Sequence, residues 1–207
     1  MVDFPRCRLT RWTEVDAWAD ALAEQIRHAG HRPTTLVALT RGGWVPARLL
    51  ADRLGLKRMV SLRAQHWGVT ATPSGKAELT EGLSGPVEGE MALVVDDITD
   101  TGESLTLATD HVQEHGARRV ESATCLHLTH STFRPTYTAE EIPRESWVWV
   151  VFPWNYWEDV ATLGGRALTE AGDVEGATRL LAERCGLNVP VDDLRRATRA
   201  ASALPAP

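Results

Sequence analysis

The residues with the clearest capacity for chemistry form one run, Leu93-Val94-Val95-Asp96-Asp97-Ile98-Thr99-Asp100-Thr101-Gly102-Glu103-Ser104. An apolar strand pattern leads into two adjacent carboxylates, then a third, then a Thr-Gly-Glu-Ser turn that opens a helix. At such a turn backbone N–H groups converge, the helix dipole favours an anion, and glycine lets the backbone approach closely. The Thr101 and Ser104 hydroxyls add donors. The segment therefore predicts a phosphate cradle, without the G-x-x-x-x-G-K-[ST] spacing of a triphosphate P-loop. Asp96 and Asp97 are paired acceptors beside it, suited to sugar hydroxyls or to a hydrated Mg²⁺. Phosphate next to a vicinal diol describes a ribose phosphate. Asp100 lies between cradle and acid pair, placed to meet whatever the sugar carries. A capped surface turn would explain the Thr and Gly. It would not explain carboxylates abutting a buried strand end, where uncompensated charge is costly.

The flanking sequence supplies the elements that must position this run. Trp12, Val15, Trp18, Leu22 and Ile26 recur at helical spacing between Thr10, the expected N-cap, and Gly30. Leu36–Leu39 and Met59–Ala64 read as strands, and Trp44–Leu54 as a helix stopped by Gly55. Residues 65–90, rich in Gly and Pro, read as a long, mostly irregular stretch, either a lid or disordered. Met91–Val95 is the strongest buried strand. A helix follows over Leu105–His115, then strands over Val120–Leu128 and Trp147–Phe152. Strands alternating with helices imply an α/β fold: a mainly parallel twisted sheet flanked by helices, with ligands at the carboxyl ends of the strands. From about residue 166 the composition shifts to Ala, Leu, Arg and Glu. That shift predicts a main domain over 1–165 and a helical extension over 166–207. The extension would hold helices at Val174–Cys185 and Val191–Ala200 and a disordered tail.

The Asp96–Ser104 run strongly resembles the signature of the type I phosphoribosyltransferases. Thr40-Arg41-Gly42-Gly43 extends the likeness: it follows the first strand, where that family keeps its pyrophosphate loop. The following apolar residue and Pro46 are similar to the xanthine–guanine branch and its archaeal relatives. The resemblance implies phosphoribosyl pyrophosphate and a nucleobase as substrates, Mg²⁺ as cofactor, a cis peptide at Thr40–Arg41, a hood over about 129–157, and a homodimer. It assigns the phosphoribosyl group to Asp96, Asp97, Thr99, Asp100, Thr101, Gly102, Glu103 and Ser104. Asp100 is the implied acid/base, and Asp96 and Asp97 the metal-side acids, possibly acting through water. Pyrophosphate falls to Thr40, Arg41, Gly42 and Gly43. Pro143 to Val148 resembles the hood segment in which an aromatic ring stacks on the purine; here that ring is Trp147, with Val148 offering backbone contacts. Trp149, Trp154 and Trp157 read instead as core or interface aromatics. The chain departs from the family after the Val120–Leu128 strand. Purine enzymes usually carry a Lys there, and this chain has Leu126-His127-Leu128-Thr129-His130-Ser131. Thr129 or His130 takes that place, as a donor without a fixed positive charge. The base is then an oxopurine or a different one.

Composition bounds the alternatives. In 207 residues, 22 Lys and Arg face 28 Asp and Glu, a net charge of −6. That acidity argues against sequence-blind nucleic-acid or anionic-membrane binding. No apolar run approaches a membrane span, and the first residues lack a secretory pattern. Three well-separated cysteines argue against a disulfide framework and fit a reducing cytoplasm. His111-Val112-Gln113-Glu114-His115 matches a zinc-protease pattern, but it sits at the far end of the helix and reads as a solvated face. Lys76 is a lone cation in the 65–90 stretch. The last two helices could carry a DNA-reading pair, though three arginines are a thin basic cluster. A sensor of phosphoribosyl pyrophosphate without catalysis is the competing class.

Overall fold

The computed structural model describes residues 4–66 and 77–203. In chain order its elements are β1 (Cys7–Leu9), α1 (Trp12–His28), β2 (Thr35–Thr40), α2 (Trp44–Leu54), β3 (Met59–His66), β4 (Ala77–Glu81), β5 (Met91–Thr99), α3 (Glu103–Glu114), β6 (Arg119–Leu128), β7 (Tyr137–Ile142), β8 (Trp149–Val151), α4 (Tyr156–Ala171), α5 (Val174–Leu180) and α6 (Val191–Ala203). They fall into two compact units, Thr13–Trp147 and Met1–Trp12 with Val148–Pro207. The break expected at residue 165 lies inside α4.

The larger unit is built on a six-stranded sheet of order β4-β3-β2-β5-β6-β7. Every neighbouring pair is parallel except β3–β4. The expected α/β architecture is therefore present. β5 lies inside the sheet because Ala92 to Val95 are apolar on both faces and fully buried. Burying each of Leu93, Val94 and Val95 contributes about 1.5–3 kcal/mol. One apolar layer joins Val37, Leu39, Val60, Leu62 and Val94 to Leu105 and Val112 of α3. α1 buries the face its spacing predicts, through Val15, Trp18, Leu22 and Ile26. α2 has the expected bounds, with Pro46 in its first turn and Gly55 left-handed at its end (φ 69°).

Several expectations are corrected. Thr10 does not act as the cap of α1; its hydroxyl donates to Val151 O at 3.2 Å. Much of the 65–90 stretch is ordered. β4 returns antiparallel to β3, Ser84 donates its N–H to Ser61 O, and Val87 is buried. Lys76 lies outside the described residues, as do 67–76 generally. The stretch 129–157 divides: β7 is an edge strand of the large sheet, while β8 pairs with β1.

The smaller unit holds the parallel β1–β8 pair and the helices α4, α5 and α6. A π-helical turn, Leu181–Cys185, extends α5. The core joins Val151, Val160, Leu163, Ala167, Leu181, Leu187 and Leu194. α4 was hidden in the sequence by Gly164-Gly165. Its glycine has a packing cause: a Cβ on Gly164 would run into Leu194 Cδ1 of α6. The last helix reaches Ala203, past the expected end, and residues 204–207 of the expected tail lie outside those described. Among the described residues, no helix is long and apolar enough to cross a membrane.

Candidate active site

The carboxyl ends of β2 and β5, side by side in the sheet, bring the two chemistry-bearing runs together. β2 ends at Thr40, whose hydroxyl donates to Leu62 O at 3.1 Å. The Thr40–Arg41 peptide is cis, as the resemblance implies. Arg41-Gly42-Gly43 then turns into α2, with Gly43 N–H donating to Leu39 O at 2.8 Å. The turn is pressed against β5. A Cβ on Gly42 would stand 2.6 Å from the Asp97 carboxylate carbon, and one on Gly43 would overlap Val95 O and come 2.6 Å from Leu39 O. Glycine is needed at position 43 for space, where the obstacles are backbone atoms; at position 42 a Cβ would have to displace the Asp97 side chain.

β5 extends beyond the apolar stretch to Thr99, so the acid pair stands within the strand, not after it. Asp97 is buried and Asp96 half-buried. Asp96 accepts the Asp97 N–H at 3.0 Å. Burial, and then the neighbouring Asp97 charge, push the Asp96 carboxyl well above its usual range. Poorly hydrated carboxyls gain from hydroxyl donors or a hard cation beside them. Mg²⁺ takes oxygen ligands, keeps several waters, and is held by one or two carboxylates plus substrate phosphates. The pair fits that donor chemistry.

The turn that follows, Asp100–Gly102, joins β5 to α3. Gly102 is left-handed (φ 93°) and precedes α3. Glu103 N–H reaches Thr101 Oγ1 at 3.4 Å. Thr101 O accepts two bonds from Thr132, at 3.0 Å from N–H and 2.9 Å from the hydroxyl. A Cβ on Gly102 would lie 2.6 Å from Phe133 N and Ser131 Oγ. Not every nominated side chain faces this turn. The Thr99 hydroxyl is buried and donates to Thr124 Oγ1 at 3.3 Å. The Glu103 carboxylate accepts Ala77 N–H at 3.0 Å, which moors β4. Ser104 is half-buried in the first turn of α3, and Thr101 is exposed.

The loop after β6 meets Asp100. His130 Nε2 lies 2.9 Å from Asp100 Oδ1. No spacing in the sequence marks that pair. Its cause is strand register: Thr99 stands opposite His127 across the parallel β5–β6 pair, so the loops beyond them run together. The same register brings Ser131 to Phe133 onto Gly102, a contact that sequence reasoning missed. Thr129 is already engaged, its hydroxyl accepting Arg144 N–H at 3.0 Å. His127 is buried, and burial followed by the Arg134 charge lowers its pKa. In the larger unit Trp147 follows a 3₁₀ turn over Arg144–Ser146 and is 40% exposed, its ring available for stacking. In the smaller unit Val148 is half-buried, Trp149 Nε1 donates to Asp159 Oδ1 at 3.1 Å, and Trp154 stacks on Phe152 at 4.8 Å. Those two indoles hold structure. Trp157 is exposed, with the Arg196 guanidinium 5.0 Å above its ring. At the far end of α3, His111 is half-buried rather than solvated, its ring 4.0 Å from that of His115.

This chain is similar to several known proteins. A purine phosphoribosyltransferase from Pyrococcus horikoshii matches in structure with a TM-score of 0.62 and 26% identity, over 72% of this chain and 93% of that one. A Neisseria gonorrhoeae protein solved with bound ppGpp matches with a TM-score of 0.63 and 18% identity, over 74% and 92%, a likeness of fold alone. In sequence, a xanthine-guanine phosphoribosyltransferase from Desulfotalea psychrophila is 25% identical over 122 residues, 58% of this chain and 69% of that protein. A ribose-phosphate pyrophosphokinase from Halalkalibacterium halodurans is 35% identical over 106 residues, 51% of this chain; the match spans only 31% of that longer protein. The family described as "Phosphoribosyl transferase domain" matches residues 8–160, most of the chain and all of the loops gathered at the ends of β2 and β5. The chain belongs to the phosphoribosyl transferase domain family.

Proposed function

We propose that this protein transfers the 5-phosphoribosyl group from phosphoribosyl pyrophosphate to an oxopurine (guanine, xanthine or hypoxanthine) and releases pyrophosphate. The observation that carries the reading is the closeness of Gly42 to the Asp97 carboxylate, which sets an amide-lined loop against the acid pair. One substrate with two phosphate ends and a diol between them matches that layout. The Thr101–Ser104 amides hold the 5-phosphate, and the Arg41–Gly43 turn holds the pyrophosphate. Asp96 and Asp97 orient the ribose hydroxyls. Bound Mg²⁺, held by Asp96 and Asp97 directly or through water, would neutralise charge on the leaving pyrophosphate. As the bond from the anomeric carbon to pyrophosphate oxygen breaks, the carboxylates stabilise the positive character at that carbon. The base nitrogen closes the new bond, and Asp100 accepts its ring proton. Trp147 stacks on the base and Val148 offers backbone contacts. The purine and xanthine-guanine relatives support an oxopurine. The exposed indoles of Trp12, Trp44 and Trp157 support a homodimer.

Of Thr129 and His130, either of which takes the place of the family's usual Lys, the contact with Asp100 makes His130 the base-side donor in this reading. A hydrogen bond to a charged group contributes about 1.5–3 kcal/mol. His130→Ala is expected to lower kcat/KM for the base by about 10-fold to 150-fold, read by steady-state kinetics. An unchanged value removes His130 from the site.

The function itself is tested by incubating the protein with labelled phosphoribosyl pyrophosphate, Mg²⁺ and single bases: guanine, xanthine, hypoxanthine, adenine, uracil and orotate. Labelled nucleotide with an oxopurine, and its loss on chelation with EDTA, is the expected result. Product only with another base keeps the reaction and changes the substrate. Binding of phosphoribosyl pyrophosphate with no product from any base favours the sensor instead.

A further inference from the structure

The loop between β6 and β7 does more than meet Asp100. Thr132 donates twice to one atom, the carbonyl oxygen of Thr101: from its N–H at 3.0 Å and from its hydroxyl at 2.9 Å. Thr132 is exposed, so water competes for that hydroxyl, yet it is directed at a main-chain atom of another loop. The residues on either side keep it there. Ser131 N–H donates to Leu128 O at 2.9 Å. Ser131 Oγ donates to Phe133 O at 2.9 Å and accepts Phe133 N–H at 3.2 Å. Phe133 packs against the apolar layer that includes Leu105 and Val112 of α3. Phe133 N and Ser131 Oγ also close one face of Gly102, since a Cβ there would lie 2.6 Å from each.

The oxygen that Thr132 holds belongs to the peptide unit joining Thr101 to Gly102. That unit is planar and trans, so its oxygen and its hydrogen point opposite ways. Fixing the oxygen toward the β6–β7 loop therefore aims the Gly102 N–H away from that loop. α3 begins its own ladder with Thr106 N–H donating to Gly102 O at 3.0 Å, which leaves the Gly102 N–H outside it. A peptide unit that precedes glycine turns over at little cost, because glycine adopts either sign of φ. At Gly102 (φ 93°) such a flip would put a carbonyl oxygen where the N–H had been, an acceptor in place of a donor. Two hydrogen bonds to the Thr101 oxygen oppose that flip.

We propose that Thr132 is a positioning residue for the 5-phosphate group: by holding the Thr101 oxygen it locks the Thr101–Gly102 peptide in the orientation that offers the Gly102 N–H to the anion. The inference rests on the reading of Thr101–Ser104 as the phosphate cradle. Thr132 acts through the peptide and does not itself touch the phosphate. Two residues earlier, His130 meets Asp100 at 2.9 Å, so one short loop braces both the carboxylate and the phosphate turn.

Two variants separate the hydroxyl from the rest of the side chain. Thr132→Val keeps the shape and the N–H and removes the hydroxyl, whereas Thr132→Ser keeps the hydroxyl. Calorimetric titration of the whole protein with ribose 5-phosphate, which carries the phosphate and the diol but no pyrophosphate, reads the cradle without any turnover. Thr132→Val is expected to weaken this affinity about 3-fold to 10-fold, the span of one neutral hydrogen bond. KM for phosphoribosyl pyrophosphate should rise by a similar factor, with pyrophosphate affinity, KM for the base and kcat at saturation unchanged. Thr132→Ser should bind as the unmutated protein does. Because the residue is exposed, both variants should keep the melting temperature. Unaltered ribose 5-phosphate affinity in Thr132→Val, an equal loss in Thr132→Ser, or a matching loss of pyrophosphate affinity would each overturn the proposal. Failure of the unmutated protein to bind ribose 5-phosphate would overturn it together with the phosphate-cradle reading. The expected pattern of binding, with no nucleotide formed from any base, would uphold it and remove the transferase reading alone.

Discussion

Asp100→Asn is expected to lower kcat by about 100-fold to 10,000-fold, the range that general acid–base catalysis supplies, with KM for phosphoribosyl pyrophosphate little changed. The substitution is nearly isosteric. The amide oxygen of Asn can still accept from His130 Nε2, so the 2.9 Å contact and the loop conformation persist. What disappears is a group able to take the ring proton as the base nitrogen bonds to the sugar. The 5-phosphate and pyrophosphate contacts lie on Thr101–Ser104 and Arg41–Gly43 in the proposed reading, away from the changed atom. Initial rates with the best base from the panel, against equilibrium binding of phosphoribosyl pyrophosphate, separate the two quantities. Unchanged turnover would refute the acid/base role. Residues acting as a unit are non-additive, so adding His130→Ala to Asp100→Asn should lower the rate far less than it does alone.

The second large effect is on stability. Gly43→Ala is expected to destabilise the fold by about 3 kcal/mol or more, the upper range for forcing atoms into a packed interior. Gly43 has φ −68° and ψ −12°, a conformation any residue adopts, so the backbone itself does not object. The obstacle is space. The new methyl would overlap Val95 O and press on Leu39 O. Both are main-chain atoms of adjacent strands inside the sheet, fixed by ladder bonds on either side. Neither can swing aside as a side chain would. For a chain of this length the loss corresponds to a melting shift of about 6–12 °C. Gly165→Ala is the matched control. Nothing lies within 4 Å of its Cβ and it sits in α4, so helix propensity should make it neutral or stabilising by up to about 1 kcal/mol. Equal melting of the Gly43 variant and the unmutated protein would mean the turn is looser than described.

What the sequence disclosed follows physical lines. Elements with a one-sided or fully apolar signal were legible: α1 through Trp12 to Ile26, α2 between Pro46 and Gly55, and β5 through Leu93 to Val95. The loops at the ends of β2 and β5 were legible because their residue types are costly in any other role. Edge elements were not. β7 reads Tyr-Thr-Ala-Glu-Glu-Ile, with polar residues facing outward on an outer strand, and β1 is three residues long. α4 carries Val160, Leu163 and Ala167 at helical spacing, yet its paired glycines read as a break until Leu194 is seen filling the notch. Contacts set by register rather than spacing were invisible. Asp100 meets His130, and Thr101 meets Thr132, only because β5 and β6 lie parallel with Thr99 opposite His127.

The two hydrogen bonds that Thr132 donates to Thr101 O have an electrostatic consequence. Each peptide unit is a dipole with two poles, and a turn that offers its hydrogens to an anion carries as many oxygens that would repel it. Saturating the Thr101 oxygen from outside the turn quenches one such repulsive pole before any guest arrives. In the proposed reading, the preference of this turn for negative charge is thus set partly by a neighbouring loop that never needs to touch the guest.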